Sequence, residues 1–310
     1  MPAFLSRALL SMLALVLFGV PASAIDVWPE FRGPTGQGHA EAKNLPATWS
    51  ETENVVWRTP LTGRGWSSPV ADDRVVWLTT AVDQPLSDEQ KKERLKTNTG
   101  DQPLNVAGHV DLFAVAVDRR SGVILHEIKI HSVDDPQWIH ALNSYASPTP
   151  FLRDGKLYCH FGALGNVCFD TQTRKVLWTN DELRIMHENG PGSSPVVWKD
   201  KMIFHCDGSD VQYIAALDTA TGKLAWKTPR TGAMRDNPQL KKAYGTPLIV
   251  SQEIDGEPRD VLLSPAADWL YAYDPATGAS CGSSTTACSV SRSCRARWPA
   301  TGWSISAPRI

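Results

Sequence analysis

The sequence has few of the short patterns that mark common catalytic or metal-binding sites. It contains no His-Glu-x-x-His and no phosphate-binding Gly-x-x-x-x-Gly-Lys-Ser/Thr segment, and its eight histidines form no His-x-His pair. The formal net charge is only −2, so the chain has no strongly basic field that would attract a phosphate backbone. These absences argue against a zinc peptidase, a phosphate-loop enzyme and a nucleic-acid-binding protein.

Long hydrophobic runs are also missing after the start of the chain. There, Arg7 precedes an apolar run from Ala8 to Val20, which is followed by the small residues Ala22 and Ala24. This order predicts a secretory signal peptide over residues 1–24, because the run is shorter than the about 20 residues that cross a bilayer. We therefore expect an exported protein, periplasmic or extracellular, with no membrane span.

The chain does contain an internal repeat. Similar segments read LFAVAVDRRSGVIL, GNVCFDTQTRKVLW, YIAALDTATGKLAW and WLYAYDPATG, and their aspartates are Asp118, Asp170, Asp218 and Asp274. The spacings between these aspartates are 52, 48 and 56 residues. A second marker with Ser/Thr-Pro precedes each unit in WSSPV, YASPT, GSSPV and YGTPL, which begin at Trp66, Tyr145, Gly192 and Tyr244. Two markers that recur in one order indicate a repeat architecture.

Each unit reads as four short strands with a tight turn before the last strand. Asp and Gly favour this turn, because Asp bonds to nearby backbone and Gly accepts a positive φ. Arg174 replaces the Gly in the second unit, so we expect a strained or differently shaped turn there. Repeated four-stranded antiparallel units pack as blades around an axis, with Trp178 and Trp226 between blades. The sequence therefore predicts an all-β β-propeller over residues 25–278, with about four blades present.

The pattern A-x-D-x-x-T-G-x-x-x-W resembles the pyrroloquinoline-quinone-like (PQQ-like) β-propeller repeat family. The segments WPEFRGPTGQG, NVVWRTPLTGRGWSSPV and HALNSYASP are similar to exported propeller proteins of planctomycete-type bacteria, and the outer-membrane assembly lipoprotein of Gram-negative bacteria is a more distant relative. The resemblance covers residues 28–278 and implies more blades than four, so the ring is expected to be incomplete. Glu53–Pro60 matches the end of a unit, and we expect it to be a closing strand whose partner blade is missing.

After Gly278 the repeat pattern gives way to a polar tail that contains Cys281, Cys288 and Cys294. The tail is rich in Ser, Cys and Trp, the residues obtained when the middle T of apolar codons is read as a first base. We therefore predict that residues 279–310 are a frameshifted, non-native segment of a truncated propeller. A disulfide or metal-binding segment is the alternative, although the cysteine spacings lack the Cys-x-x-Cys pairs typical of zinc sites.

Three cysteines and two histidines within the repeats could carry chemistry. Cys168 takes the place of an alanine in the other units and is predicted to be a small buried packing residue. Cys159 and Cys206 lie on second strands of successive units, where they are either free or joined in a disulfide. His160 and His205 alternate with apolar residues and are predicted to be structural rather than metal ligands.

The loops that lead from one unit to the next are long and polar, and in a propeller they converge on one face near the axis. Seven of their residues are candidates for a common binding funnel: Arg64, Trp66, His140, Asn143, Arg184, Lys242 and Tyr244. Solvation or bracing of the loops is the alternative role for each of them. No catalytic or metal-binding residue is predicted.

Three functional outcomes remain open at this level. The first is an exported, non-catalytic propeller that needs no cofactor and binds a protein, a glycan or a small ligand through the funnel. The second, implied by the resemblance, is a fragment of a quinoprotein alcohol dehydrogenase that uses PQQ and Ca²⁺. Such enzymes carry adjacent cysteines over the quinone, and the absence of a Cys-Cys pair favours the first outcome. The third is an inactive half-ring whose open strand edges promote aggregation.

Overall fold

The computed structural model describes residues 27–40, 45–98, 100–254 and 256–285, together with two short strands in the tail. The predicted signal peptide and most of the predicted frameshifted tail lie outside these residues. The described chain is almost entirely β-structure. In this part of the chain, no helix is both long enough and apolar enough to cross a membrane.

The first repeat unit forms a four-stranded sheet with a helical insertion. In chain order its elements are β1 (Val70–Ala71), β2 (Val75–Pro85), α1 (Asp88–Arg94), β3 (Leu104–Asn105), β4 (Ala107–Asp118), β5 (Ile124–Asp134) and β6 (Ile139–His140). Strands β1, β2, β4 and β5 pair antiparallel in that order, and β3 pairs with β6 in a separate short ladder. Helix α1 begins with a capping box at Ser87 and buries none of its residues, so it adds nothing to the core.

Three further sheets repeat the same antiparallel order. The second sheet contains β7 (Phe151–Arg153), β8 (Lys156–His160), β9 (Asn166–Asp170) and β10 (Lys175–Asn180). The third contains β11 (Val196–Trp198), β12 (Lys201–Asp207), β13 (Gln212–Asp218) and β14 (Leu224–Pro229). The fourth contains β15 (Leu248–Ile254), β16 (Glu257–Pro265), β17 (Trp269–Tyr273) and β18 (Ser280–Thr285), and β19 (Arg295–Arg297) pairs with β20 (Ser304–Ser306) in the tail. Short 3₁₀ helices lie at Gly162–Leu164 and Pro238–Leu240. The predicted architecture of four-stranded blades is confirmed.

Consecutive sheets pack face to face, because this packing removes the apolar sides of both sheets from water. Trp77 of the first sheet meets Phe169 of the second edge to face, with ring centroids 5.8 Å apart. Trp178 joins the core between the second and third sheets, and Trp226 joins the core between the third and fourth. Among the described residues no apolar cluster joins the first sheet to the fourth, so these sheets do not close into a ring.

A tryptophan after the turn of one unit fastens it to the turn of the next. The indole N–H groups of Trp57, Trp178 and Trp226 donate to the carbonyl oxygens of Arg119, Thr219 and Pro275 at 3.0, 3.0 and 3.2 Å. The indole rings cover the turn glycines so closely that an added Cβ would lie 2.5 to 2.6 Å from ring atoms; these glycines are Gly122, Gly222 and Gly278. The predicted position of tryptophan between blades is confirmed.

The segment Glu53–Pro60 differs in part from its prediction. It forms no strand within the described residues, where its one ladder contact is the bridge between Ser50 and Glu53. Trp57 nevertheless contacts Arg119 and Gly122 as the other tryptophans contact the following unit, and Thr59 donates to the Gly122 carbonyl oxygen. The segment therefore occupies the place of an outer strand without strand pairing.

The turn of the second unit shows one of the two expected outcomes, a strained residue in a turn of unchanged shape. Arg174 has a φ of 59°, and its N–H donates to the Asp170 carbonyl oxygen at 2.9 Å, as the Gly222 N–H does to Asp218 at 2.9 Å. Of the two alternatives, the strain of a side chain at positive φ is present and the shape of the turn is unchanged. In the preceding unit, His126 stands at the position where the other units have the tryptophan that covers the following turn. Without the indole ring, the turn tolerates a side chain.

Two boundaries of the repeat differ between the sequence prediction and the structure. The Ser/Thr-Pro marker of the second unit is Thr149–Pro150, directly before β7, and not the Ser-Pro of YASPT. The fourth sheet also continues past the predicted end at Gly278, because β18 pairs with β17 along its length. Strand β18 buries none of its residues, so backbone pairing alone holds it. The frameshift hypothesis for residues 279–310 stays a prediction.

Candidate binding face

The first strand of each sheet, β1, β7, β11 or β15, is its inner strand. A row of hydrogen bonds aligns the starts of these inner strands. The backbone N–H of Ser68 donates to the Thr149 hydroxyl at 2.9 Å, and the Thr149 N–H donates to the Ser194 hydroxyl at 2.9 Å. The Ser194 N–H continues the row to the Thr246 hydroxyl at 3.2 Å. Each hydroxyl residue stands directly before the proline that opens an inner strand. Because these starts are joined, the loops that precede them emerge on one side of the sheets.

The first two of these loops are joined by the side chains of Arg64 and Trp66. The Arg64 guanidinium donates to the Ala141 carbonyl oxygen at 3.0 Å, and the Trp66 indole N–H donates to the Leu142 carbonyl oxygen at 2.9 Å. Both side chains thus lie along the loop that carries His140 and Asn143.

The second loop is joined in turn to the third. Asn143 donates from Nδ2 to the carbonyl oxygens of Asn189 and Pro191 at 2.7 and 3.2 Å. The backbone N–H of His140 also donates to Asn189, and its ring nitrogen Nδ1 accepts from the Leu142 N–H at 3.1 Å. The His140 ring is therefore engaged in shaping its own loop.

The third loop is joined to the fourth by Lys242 and Tyr244. The Lys242 ammonium lies 2.9 Å from the Glu188 carboxylate, and the side chain of Lys242 is only 4% exposed. Partial burial acts to raise the pKa of Glu188, but hydrogen bonds and the Lys242 charge lower it overall. Tyr244 donates from its hydroxyl to the His187 carbonyl oxygen at 3.1 Å, and burial raises its pKa to about 12.

Six of the seven predicted residues are therefore brought together in one continuous set of loops. Arg184 is the exception, because it is exposed and no contact within the described part of the chain joins it to the other six. The six polar or aromatic groups brace the loops through hydrogen bonds, which is the alternative role that the sequence leaves open. We refer to the loops 61–66, 140–145, 184–192 and 239–244 as the loop face.

Apolar side chains project from the loop face, and most of them, including Leu142, are not among the seven residues predicted from the sequence. Leu142 is 78% exposed and Trp66 is 61% exposed, although both lie on hydrogen-bonded loops. Smaller exposed fractions belong to further large apolar residues of the same loops: Leu61, Met186, Leu240 and Tyr244. A rigid backbone that presents clustered apolar side chains is typical of a protein interaction site. The six groups that brace the loops already have hydrogen-bond partners, so they are not free to bind a sugar or a charged metabolite.

The sequence analysis does not identify a buried histidine that lies beneath the loop face. His187 is 6% exposed, and neither ring nitrogen has a hydrogen-bond partner within the described residues. Its Nε2 lies so close to Gly162 that a Cβ there would be 1.9 Å away. Burial lowers the pKa of His187 to about 3, so the ring is neutral near pH 7. No local pattern distinguishes this histidine, because its burial arises from loops that are distant in sequence.

A buried ion pair between the third and fourth sheets is likewise decided by tertiary structure. Arg230 forms two hydrogen bonds with the Asp207 carboxylate, at 2.9 and 2.7 Å, and a third with the Ser264 hydroxyl at 2.7 Å. Burial acts to lower the pKa of Arg230, but the facing carboxylate raises it overall, so the guanidinium stays charged. His205 bonds to the same Ser264 hydroxyl at 2.8 Å. The network therefore joins two blades.

The remaining histidine and cysteine predictions can be compared with the structure. His160 is buried and bonded to Asn166 at 2.8 Å, and burial lowers its pKa to about 4, in agreement with a structural role. Cys168 is fully buried, which confirms its prediction. Cys159 and Cys206 are both free; Cys159 packs towards the first sheet and Cys206 towards the second, so they lie in different cores and the disulfide alternative is wrong.

The described residues can be compared with the thiols and metal ligands that a quinone with Ca²⁺ would require. The buried cysteines are separate free thiols, and no group of three or more His, Cys, Asp or Glu side chains in the described ranges is arranged to hold a metal ion. One Gly-x-Ser-x-Gly pattern occurs, at residues 278–282, but it places Ser280 exposed on the outer strand β18. A hydrolase nucleophile instead stands on a sharp turn between a strand and a helix.

Four antiparallel four-stranded blades with joined inner strands define a β-propeller repeat protein. Residues 127–278 match the family model described as outer membrane protein assembly factor BamB, which supports the resemblance of these repeats to PQQ-like propeller repeats. No curated protein matches the chain.

Similar solved structures include propellers of two kinds. The BamB structure from Moraxella catarrhalis is 19% identical, with a TM-score of 0.38, over 59% of this chain and 50% of that one. Quinohemoprotein alcohol dehydrogenase from Comamonas testosteroni is 15% identical, with a TM-score of 0.39, over 79% of this chain and 46% of that one. This chain thus spans about half the length of either structure.

Proposed function

We propose that the chain is an exported, non-catalytic PQQ-like propeller repeat protein that binds a protein partner through its loop face. The observation that carries this proposal is the exposure of Leu142 and Trp66, at 78% and 61%, on a backbone that hydrogen bonds hold in place. An apolar surface that is already ordered loses little conformational entropy on binding. Aromatic anchors such as Trp66 commonly dominate the binding energy of protein interfaces.

The chemistry of the loop face supports a protein partner over a glycan or a small ligand. The side chains of Arg64, Asn143 and Lys242 bond to neighbouring loops and are not free to recognise a polar ligand. The matched family model describes an assembly factor of the outer membrane, a role that suits an exported binding module. A dehydrogenase fragment has no comparable support, because the described residues supply neither the adjacent thiols nor a set of metal ligands.

Site-specific photo-crosslinking in the source cells tests this function. A photoreactive residue at Leu142 is expected to give a discrete adduct, whereas the same residue at Leu125, 43% exposed on the outer strand β5, should give none. The adduct at position 142 should fall at least about fivefold when Trp66→Ala removes the neighbouring anchor. Identical adducts at both positions, or an adduct that Trp66→Ala leaves unchanged, would disprove the assignment. Circular dichroism of each variant verifies that the blades remain folded.

A further inference from the structure

Residues 27–38 run across the inner strands instead of extending away from the blades. Trp28 pairs with Ala71 of β1 through two backbone hydrogen bonds of 2.8 Å, and the Pro29 carbonyl oxygen accepts from the Leu152 N–H of β7 at 2.7 Å. These contacts place the segment against the inner strands of both the first and the second sheet. We call residues 27–38 the axial strap.

The axial strap then turns and reaches the fourth sheet. Gly33 lies over the Trp28 ring, where a Cβ would be 2.7 Å from the nearest ring atom, and its φ is 72°. Gly36, with a φ of 65°, lies against Leu248 at the start of β15, where a Cβ would be 2.8 Å from the side chain. The strap thus contacts the inner strands of three sheets at once, which locates it at the centre of the propeller.

Glu30 is the one carboxylate of the axial strap, and its environment suits the neutral form. Its side chain is partly buried and has no hydrogen-bond or ion-pair partner within the described residues. Charged residues are present on the strap and on the elements packed against it: Arg32, Asp72, Asp73, Arg153, Asp154 and Glu253. None of these charges contributes to the shift of the Glu30 pKa, which burial alone raises to about 7.

We propose that the axial strap is a pH-sensitive latch, seated while the Glu30 carboxyl is protonated and loosened when it ionises. An unseated Glu30 has the ordinary pKa of 4.5, so seating is most favourable below that pH, weakens as the pH rises from 4.5 to 7, and changes little at higher pH. The two pKa values imply that the opening equilibrium of the strap increases roughly tenfold between pH 6 and pH 8.

Hydrogen exchange of the full chain at pH 6 and pH 8, corrected for intrinsic exchange rates, tests the latch. The reporters are the bonded amides of Trp28, Ala71 and Leu152, which should exchange roughly tenfold faster through strap opening at pH 8. Glu30→Gln should remove this dependence and keep the strap protected at both pH values. Glu53→Gln is the matched control, because Glu53 is exposed and lies outside the strap, and it should behave as the wild type.

Two outcomes overturn the proposal: equal corrected protection of the wild type at both pH values, or a tenfold dependence that survives Glu30→Gln. If Glu30→Gln fails to fold, a ¹³C carboxyl titration of the wild-type chain still decides the question. A Glu30 midpoint near 7 supports the latch, whereas a midpoint near 4.5 contradicts it.

Discussion

The indole N–H of Trp178 lies 3.0 Å from the carbonyl oxygen of Thr219, 41 residues further along the chain. This bond joins the end of one blade to the turn of the next, and Trp57 and Trp226 make the equivalent contact at two other junctions. The same indole covers Gly222, so a hydrogen bond and a close packing contact act at one point. The junctions between blades are therefore the places where substitutions most directly test the fold.

Substitution of Trp178 separates these two contributions. Trp178→Phe removes the N–H but keeps an aromatic ring, and we expect it to lower the free energy of unfolding by about 1 kcal/mol. Trp178→Ala also removes the buried ring and is expected to cost about 3–5 kcal/mol. Leu177→Ala is the control, because Leu177 is 47% exposed, and it should change stability by less than about 0.5 kcal/mol. Urea unfolding followed by tryptophan fluorescence measures all three, and equal losses for Phe and Ala would contradict the hydrogen-bond contribution.

The turn glycines test a second consequence of the indole contact. Gly222→Ala places a Cβ about 2.6 Å from the Trp178 ring at a φ of 70°, and should destabilise the chain by more than about 1 kcal/mol. Arg174 occupies the matching turn position with a φ of 59° but faces no tryptophan. Arg174→Gly should therefore be neutral or stabilising by less than about 1 kcal/mol, since relief of the positive φ is offset by greater freedom of the unfolded chain. Thermal unfolding of both variants compares their stabilities directly. If Gly222→Ala causes no loss of stability, contact with the indole ring is not the reason that glycine is required at this position.

The buried pair of Asp207 and Arg230 should be costly to break. Arg230→Met leaves the carboxylate unpaired in the core between two blades, and we expect a loss of about 3–5 kcal/mol in the free energy of unfolding. The double variant Asp207→Leu/Arg230→Met should recover much of that loss, because no buried charge remains. Arg235→Met, which breaks the exposed pair with Asp268, should cost no more than about 1 kcal/mol. Urea denaturation of the three variants provides these values, and a similar cost for Arg230→Met and Arg235→Met would contradict the role of burial.

The buried histidines predict sensitivity to acid. Burial lowers the pKa of His187 to about 3 and that of His160 to about 4, from an ordinary value of 6.5. The unfolded chain therefore binds more protons at these histidines than the folded chain does below pH 6.5, so their contribution to stability is complete above that pH and falls progressively towards pH 3. His187→Leu should reduce the slope in this range by about 1.4 kcal/mol per pH unit. Denaturation at a series of pH values measures the slope, with exposed His39→Gln as the control; an unchanged slope for His187→Leu would refute the prediction.

The repeat explains why the fold was predictable from sequence while much of the candidate site was not. Asp118, Asp170, Asp218 and Asp274 mark turns whose geometry depends on residues within a few positions, so they are visible in the sequence. Six of the seven predicted loop residues do lie together, because the propeller topology gathers the loops on one side. The exposure of Leu142 and the burial of His187 follow from contacts between loops, and no local pattern reveals them.

The amino-acid sequence by itself determined the unit of this protein: four strands, an Asp-centred turn and a tryptophan that must find a partner in the next unit. Those features depend on alternation and on turn chemistry, which act over a few residues. Only the tertiary structure decided that Thr149 aligns the second inner strand, that Arg230 pairs with Asp207, and that residues 27–38 cross the centre. Each of these depends on which distant surfaces exclude water together, and that is a property of packed sheets rather than of any single segment.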